Sequence, residues 1–200
     1  MAVTLHPVGL VFGLGAVVVG GLVLADHQRK RQLALQQQLA LRQQFERDAT
    51  RARLIVVTAS NGIADMLSVP RPLILFDRCA NAETNTINTI CVSTSWALQE
   101  LAASCRDAIC VRDRIFGTIA HEFGHILDPY VRTRSHKWHD EFAADYTSGW
   151  IMRRMGADPA HFINVLERFY GSDTHPPPAL RQAKVWEGYN NPGSFEFNWV

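Results

Sequence analysis

His121 and His125 stand four residues apart with Glu122 between them, in the run His121-Glu122-Phe123-Gly124-His125. On an α-helix this spacing rotates one imidazole about 40° from the other and sets both on one face, one turn apart. Two imidazoles so placed can grip a zinc ion, and Glu122, beside them but off the ligand face, can take the proton of a metal-activated water. Five residues thus supply ligand, base and ligand. With 8 histidines in 200 residues, chance would produce this pattern only about 0.01 times per chain. The plain alternative is an amphipathic helix with two satisfied histidines. Gly124 argues against it by leaving a small surface that backbone or substrate can approach.

A catalytic zinc takes three protein ligands and keeps one position open, so a third ligand must come from elsewhere. Val131 stands where the metzincin pattern requires histidine, which excludes that arrangement. Downstream, the candidates are His136, His139, Asp140, Glu141 and Asp145. Glu141 is the choice, because Glu141-Phe142-Ala143-Ala144-Asp145 sets two carboxylates at i and i+4 on one helix face. One can bind metal while the other, Asp145, braces a ligand histidine, His121 in the first instance, through its second ring nitrogen. Ala143 and Ala144 would let this helix lie close to the first. A solvated acidic face is the alternative for the pair.

HEFGH followed by EFAAD resembles the gluzincin metallopeptidases, in particular the family of HtpX-type membrane proteases and CAAX prenyl proteases. Asn81-Ala82, then Ile90-Cys91-Val92-Ser93-Thr94, is similar to that family's NA-bearing loop and the strand leading toward the zinc helix. Thr174-His175-Pro176 with Arg181 resembles its distal HP…R element. The resemblance covers residues 71–188. It implies a zincin-like domain with Zn2+ held by His121, His125 and Glu141, Glu122 as catalytic base and Asp145 as an orienting group. It also implies a substrate-aligning edge strand near Ile90 and a catalytic His175, or Arg181, near the oxyanion. His139 and Asn81 are further candidates for oxyanion or substrate contacts. The integral-membrane members carry several spanning helices where this chain offers one candidate, so an intramembrane or prenylated-peptide substrate is not implied.

The expected activity is that of a membrane-anchored zinc endopeptidase acting on protein or peptide substrates in quality control or processing. Glu122 would accept the proton of the metal-activated water and pass it to the leaving amine, and a donor such as His175 or His139 would stabilise the oxyanion by about 3 kcal/mol. Two alternatives stand beside it: a regulatory protease cutting one protein partner at one site, and a non-catalytic, zinc-stabilised membrane adaptor. Glu122 separates the adaptor from the enzymes, since a structural zinc site has no use for a base and closes its fourth position.

These side chains need elements to carry them. Ile115, Phe116, Ile119, Phe123, Ile126 and Leu127 recur at helical spacing, which predicts a helix over 111–127 stopped by Asp128-Pro129. A helix over 135–155, ending at Gly156, would carry Glu141 and Asp145. Another over 159–170 has Asp158 as N-cap, Pro159 at its first position and Gly171 past its end. Pro176-Pro177-Pro178 opens a last turn and helix. Upstream, 73–76 and 89–93 have the composition of buried strands, 81–88 reads as a polar loop between them, and 96–104 as helix. The fold class is therefore α+β, mainly helical, with a small sheet.

The N-terminus is of another kind. No Asp, Glu, Lys or Arg occurs from Met1 to Ala25, and the apolar run is long enough for a tilted membrane helix. A cleaved signal segment is the alternative, with Val23-Leu24-Ala25 as the cleavage site. Residues 26–66, dense in Gln, Arg, Leu and Ala, read as a helical stalk able to pack one face on the catalytic domain. Leu33, Leu35, Leu39, Leu41 and Phe45 keep no clean heptad, which disfavours a coiled coil. The expected organisation is an anchor or signal over 1–25, a stalk over 26–66, a metallopeptidase domain over 67–190 and a tail over 191–200.

Charge and cysteines bear on surroundings. Twenty basic against nineteen acidic side chains leave a net charge of +1, without the electrostatic footprint of a nucleic-acid binder. Arg29, Lys30 and Arg31 follow the apolar run and, by the positive-inside rule, point to a cytoplasmic catalytic domain. Cys79, Cys91, Cys105 and Cys110 could pair as two disulfides, which points to an exported one, or remain four thiols.

Overall fold

The computed structural model describes residues 9–84, 88–102, 108–127, 137–168, 171 and 175–191, without the side chains of 9–25, 108 and 137. The chain divides into two compact units, residues 1–47 and 48–200. Helix α1 (Gly9–Leu67) contributes to both. In the first unit every described side chain, from Asp26 to Arg47, is exposed, Leu33, Leu35, Leu39, Leu41 and Phe45 among them. No helix among the described residues is long and apolar enough to cross a membrane. The membrane segment expected over 1–25 lies outside those residues for its first eight positions and for all of its side chains.

In the second unit α1 changes character. Ala49, Ala52, Val56, Ala59 and Ile63 recur every three or four residues and are buried, so this stretch turns an apolar stripe to the core. The unit therefore takes in residues 48–67, which by composition alone belong with the stalk. The helix ends in a Schellman turn: Ser68 adopts φ 56°, and the amides of Ser68 and Val69 donate to the carbonyls of Asp65 and Ala64 at 3.2 and 3.0 Å.

Three short strands follow, β1 (Leu73–Phe76), β2 (Ala82–Thr84) and β3 (Thr89–Val92). Their order is β1-β3-β2, with β1 parallel and β2 antiparallel to β3. The polar segment read as loop over 81–88 thus contains a strand. Ala-Glu-Thr has too little apolar character to announce one, and backbone pairing of Ala82 with Val92 and Thr84 with Ile90 makes it. The edge strand expected near Ile90 is likewise corrected: β3 is the central strand and Ile90 is fully buried. The edges belong to β1 and β2.

A disulfide joins Cys79 to Cys91, across the loop that carries β2, and the Ser93 amide donates to the Asn81 carbonyl at 2.7 Å. Closing so short a loop stabilises the fold by about 3 kcal/mol through the unfolded state. Cys110 is also disulfide-bonded, while Cys105 lies outside the described residues. Where β1 ends, Asp77 accepts from the backbone amide and hydroxyl of Thr94 at 2.7 and 2.9 Å and from Arg53 at 2.8 Å. These donors, the Thr94 amide foremost, hold the Asp77 carboxyl below its ordinary pKa. One carboxylate thereby ties α1 and β1 to the start of α2 (Thr94–Ala102).

The remaining helices are α3 (Ala108–Leu127), α4 (Lys137–Met155), α5 (Pro159–Leu166) and α6 (Pro178–Asn190). Ile115, Ile119 and Phe123 form the fully buried stripe of α3, packing with Val56, Ile63, Ile90, Val92, Ile151, Met152 and Phe162. Gly156, at φ 65°, closes α4 in a second Schellman turn, its amide and that of Ala157 donating to Arg153 and Met152 at 3.3 and 2.9 Å. Asp158 caps α5 by accepting from the Ala160 amide at 2.9 Å. α4 and α6 pack through two glycines, Gly149 against the Val185 carbonyl and Gly188 against that of Tyr146, with no room for a Cβ at either. That contact sets the second half of α6 against the middle of α4.

Glu100 on α2 is fully buried and would be costly alone. Arg114 and Arg168 each donate to it at 2.7 Å, yet burial prevails over Arg168 and its carboxyl pKa lies above the ordinary value. The trio locks α2 and the region after α5 onto α3.

Candidate metal centre

α3 presents its polar face where its last turns meet α4. The Nε2 atoms of His121 and His125 are 3.0 Å apart, with the rings nearly perpendicular at 87°. Glu141, one turn into α4, brings Oε2 to 3.6 Å from His121 Nε2 and Oε1 to 3.5 Å from His125 Nε2. The approach of the two helices rests on Gly124, where a Cβ would lie 2.5 Å from the Ala144 Cα. Ligand atoms about 2.1 Å from a tetrahedrally bound ion sit about 3.4 Å from one another, which the three observed separations bracket.

The donor set fits a cation in two further ways. Glu141 Oε2 is buried and has no hydrogen-bond partner. Its charge is met by Arg181 Nη2 at 3.0 Å, but no donor is aligned with it, so its lone pairs stay open to a cation. Charge agrees: three carboxyl side chains, Glu122, Glu141 and Asp145, face the one guanidinium of Arg181, an excess of acidic groups that suits a divalent cation. His121, His125 and Glu141 form a group that could hold a metal ion.

Behind the ligands, Asp145 is fully buried and its Oδ1 lies 2.9 Å from His121 Nδ1, the side away from the metal group. The contact is short but lacks the alignment of a full hydrogen bond, since His121 Nδ1 has no partner by that measure. Arg181 donates to Asp145 in a fork, Nε to Oδ2 at 2.8 Å and Nη2 to Oδ1 at 2.9 Å. Its Nη2 also lies 3.0 Å from Glu141 Oε2, in an ion pair without hydrogen-bond alignment. Burial disfavours the guanidinium charge, but Asp145, Glu141 and Glu122 outweigh it and raise the Arg181 pKa.

The candidates from sequence are thus distributed unevenly. His121, His125, Glu141, Glu122 and Asp145 converge. Arg181, expected at the oxyanion or substrate, is 3% exposed and sits beneath the ligands, engaged with Asp145. His175 is half exposed at the rim, with Nε2 3.7 Å from Glu141 Oε1. It does not cap α6, whose N-cap is Pro177. His139 is exposed on the first turn of α4, two residues before Glu141 and so about 200° around the helix from it. Asn81 is exposed just before β2, and His136 lies outside the described residues.

One residue in the site carries no sequence signal. Thr84, the last residue of β2, donates its hydroxyl to Glu122 Oε2 at 2.8 Å. Thr84 and Glu122 are 38 positions apart, and a threonine in a polar stretch matches no motif. Its only local mark is a β-branched side chain two residues after Ala82, on the same face of an extended segment.

The electrostatics predict how metal and proton compete. Burial opposes the charged form of His125, but its contact with Glu141 and the charges of Glu122, Glu141 and Asp145 prevail and raise its pKa above 6.5. Burial also opposes ionisation of Glu141, and is outweighed by His125, His121 and Arg181, which bring its carboxyl down to about 2. A raised histidine stabilises the metal-free fold below pH 6.5 and loses that contribution as pH rises through its folded value. A depressed carboxylate contributes above pH 4.5 and loses it as pH falls toward 2. Bound metal displaces the His125 proton. The rise in melting temperature on adding metal is therefore expected to grow between about pH 5.5 and about pH 8. Calorimetric melts with and without metal check this, and an increment that shrinks with pH contradicts it.

Comparison with protein-family models, curated proteins and solved structures finds no match for this chain.

Proposed function

We propose that the chain is a zinc-dependent endopeptidase of the gluzincin kind, similar to the HtpX-type and CAAX prenyl protease family. The observation that carries this reading is the convergence of two imidazoles and the Glu141 carboxylate within 4.8 Å, beside a second buried carboxylate, Glu122, left over from the ligand set. Two nitrogens and one oxygen suit zinc and leave a fourth position open. A zincin-like reading of the unit draws on the same arrangement, with HEFGH on α3, the third ligand on α4 and the β2 edge alongside.

When bound, zinc supplies a Lewis acid that polarises the scissile carbonyl and acidifies water. The protein's own groups do the rest. Glu122 takes a proton from the attacking water and delivers it to the leaving amine. Asp145, on the Nδ1 side of His121, favours the tautomer whose Nε2 lone pair faces the metal. Arg181 holds Asp145 and Glu141 in place. His175, at the exposed rim, is positioned to donate to an oxyanion. The outer edge of β2 offers backbone groups to an extended peptide.

Membrane anchoring through residues 1–25 belongs to the same proposal. The Cys79–Cys91 disulfide, with Cys110 also disulfide-bonded, favours an oxidising compartment for the catalytic unit over the cytoplasm.

The test is metal analysis of the purified full chain together with degradation of casein. About one zinc per chain is expected, with hydrolysis abolished by a chelator and restored by zinc. Bound zinc without hydrolysis would favour the adaptor reading.

A further inference from the structure

Glu122 is buried, but burial does not orient a carboxylate on a three-torsion side chain. Something must hold its plane toward the metal group. Thr84 Oγ1 lies 2.8 Å from Glu122 Oε2 and 3.2 Å from the Glu122 carbonyl oxygen. A hydroxyl carries one proton, and the carboxyl oxygen, at the shorter distance, is the acceptor it meets more closely. The bond to Oε2 leaves Oε1 as the oxygen free to receive a proton.

The strand that carries Thr84 is itself held. Ladder pairing sets Thr84 opposite Ile90, and the Cys79–Cys91 disulfide and the Ser93–Asn81 hydrogen bond pin the start of β2. Pleating places Ala82 and Thr84 on one face, where Ala82 packs against the core and Thr84 meets α3, while Glu83 points the other way and is exposed. A donor on so short and anchored a strand has little freedom to follow a wandering carboxylate.

We propose that Thr84 is a positioning residue for peptide hydrolysis: its hydroxyl orients Glu122 so that Oε1 faces the attacking water. The inference rests on the metallopeptidase reading. A purely structural tie between β2 and α3 is the competing role, and the two differ in what they move. Loss of a structural tie lowers stability and metal content. Loss of orientation lowers turnover while substrate binding stays.

The experiment compares Thr84→Val, which keeps the shape and removes the hydroxyl, with Thr84→Ser, which keeps the hydroxyl, in the zinc-loaded full chain on a quenched fluorescent peptide. Thr84→Val is expected to retain one zinc, to keep KM within about twofold and to lose kcat by about tenfold to a hundredfold. Thr84→Ser should stay within about threefold of the parent. Unchanged kcat in Thr84→Val, a loss confined to KM, or an equal loss in Thr84→Ser overturns the proposal.

A second measurement needs no activity. In metal-free protein, a double-mutant cycle between Thr84→Val and Glu122→Ala should show a coupling of about tenfold in the unfolding constant. Additive effects overturn the proposal whatever the enzyme does. A zinc-loaded parent that cuts no peptide, with the coupling intact, overturns the peptidase reading and with it the catalytic role, leaving a structural bond.

Discussion

Glu122→Gln is expected to bind zinc with the parent's stoichiometry and to hydrolyse peptides at least about a thousandfold more slowly. The substitution keeps the shape of a side chain that is only 5% exposed, and the amide oxygen can still accept from the Thr84 hydroxyl. What it removes is the ability to take a proton at neutral pH. Because Glu122 is not among the three converging ligands, metal content and melting temperature should hardly move. Single-turnover rates on a fluorogenic peptide, with zinc quantified on the same sample, give the answer. Full activity in Glu122→Gln would remove Glu122 as base.

The second large effect separates the ligand on α4 from its neighbour one turn on. Glu141→Gln replaces a charged oxygen, drawn down to a pKa of about 2 by His125, His121 and Arg181, with a neutral amide. Zinc affinity should fall at least a hundredfold or so, while the fold survives because Arg181 keeps its fork to Asp145. Asp145→Asn should do the reverse in proportion. Metal affinity falls about tenfold to a hundredfold through His121, and stability drops by about 3 kcal/mol because a buried guanidinium loses the carboxylate it grips in a fork and keeps only the unaligned ion pair to Glu141. Competition titration with a chromophoric chelator and urea unfolding of the metal-free variants measure both. A fold weakened more by Glu141→Gln than by Asp145→Asn would reverse the assigned roles.

Much of the site is legible from local spacing. His121 and His125 share a face because any helix places i and i+4 together, and the stripe Ile115, Ile119 and Phe123 shows that this segment is a helix. Glu141 and Asp145 follow the same rule on α4, and their joint arrival at the histidines agrees with the small residues Gly124 and Ala144 in contact between the helices. By the same rule His139, two positions before Glu141 and exposed, lies on another side of α4.

Other features depend on pairings that no local pattern encodes. Four cysteines allow three full pairings, and the sheet, by pairing β3 with both β1 and β2, brings Cys79, in the loop between β1 and β2, to Cys91 on β3. Strand order is equally non-local. Ile90 is apolar and β-branched as an edge or a central strand would be, and only the flanking β1 and β2 make it central.

By itself, then, the sequence determined the HEFGH helix with two histidines on one face and Glu122 beside them, the carboxylate pair one turn apart on a second helix and a mainly helical unit with a small sheet. These follow from backbone periodicity, which acts over a few residues. The tertiary structure alone decided that Arg181 lies beneath the His121, His125 and Glu141 group, that β2 lies at an edge of the sheet and that Thr84 reaches Glu122 across 38 positions. Such contacts depend on how separate elements pack, and the types and spacing of the residues that make them carry no record of it.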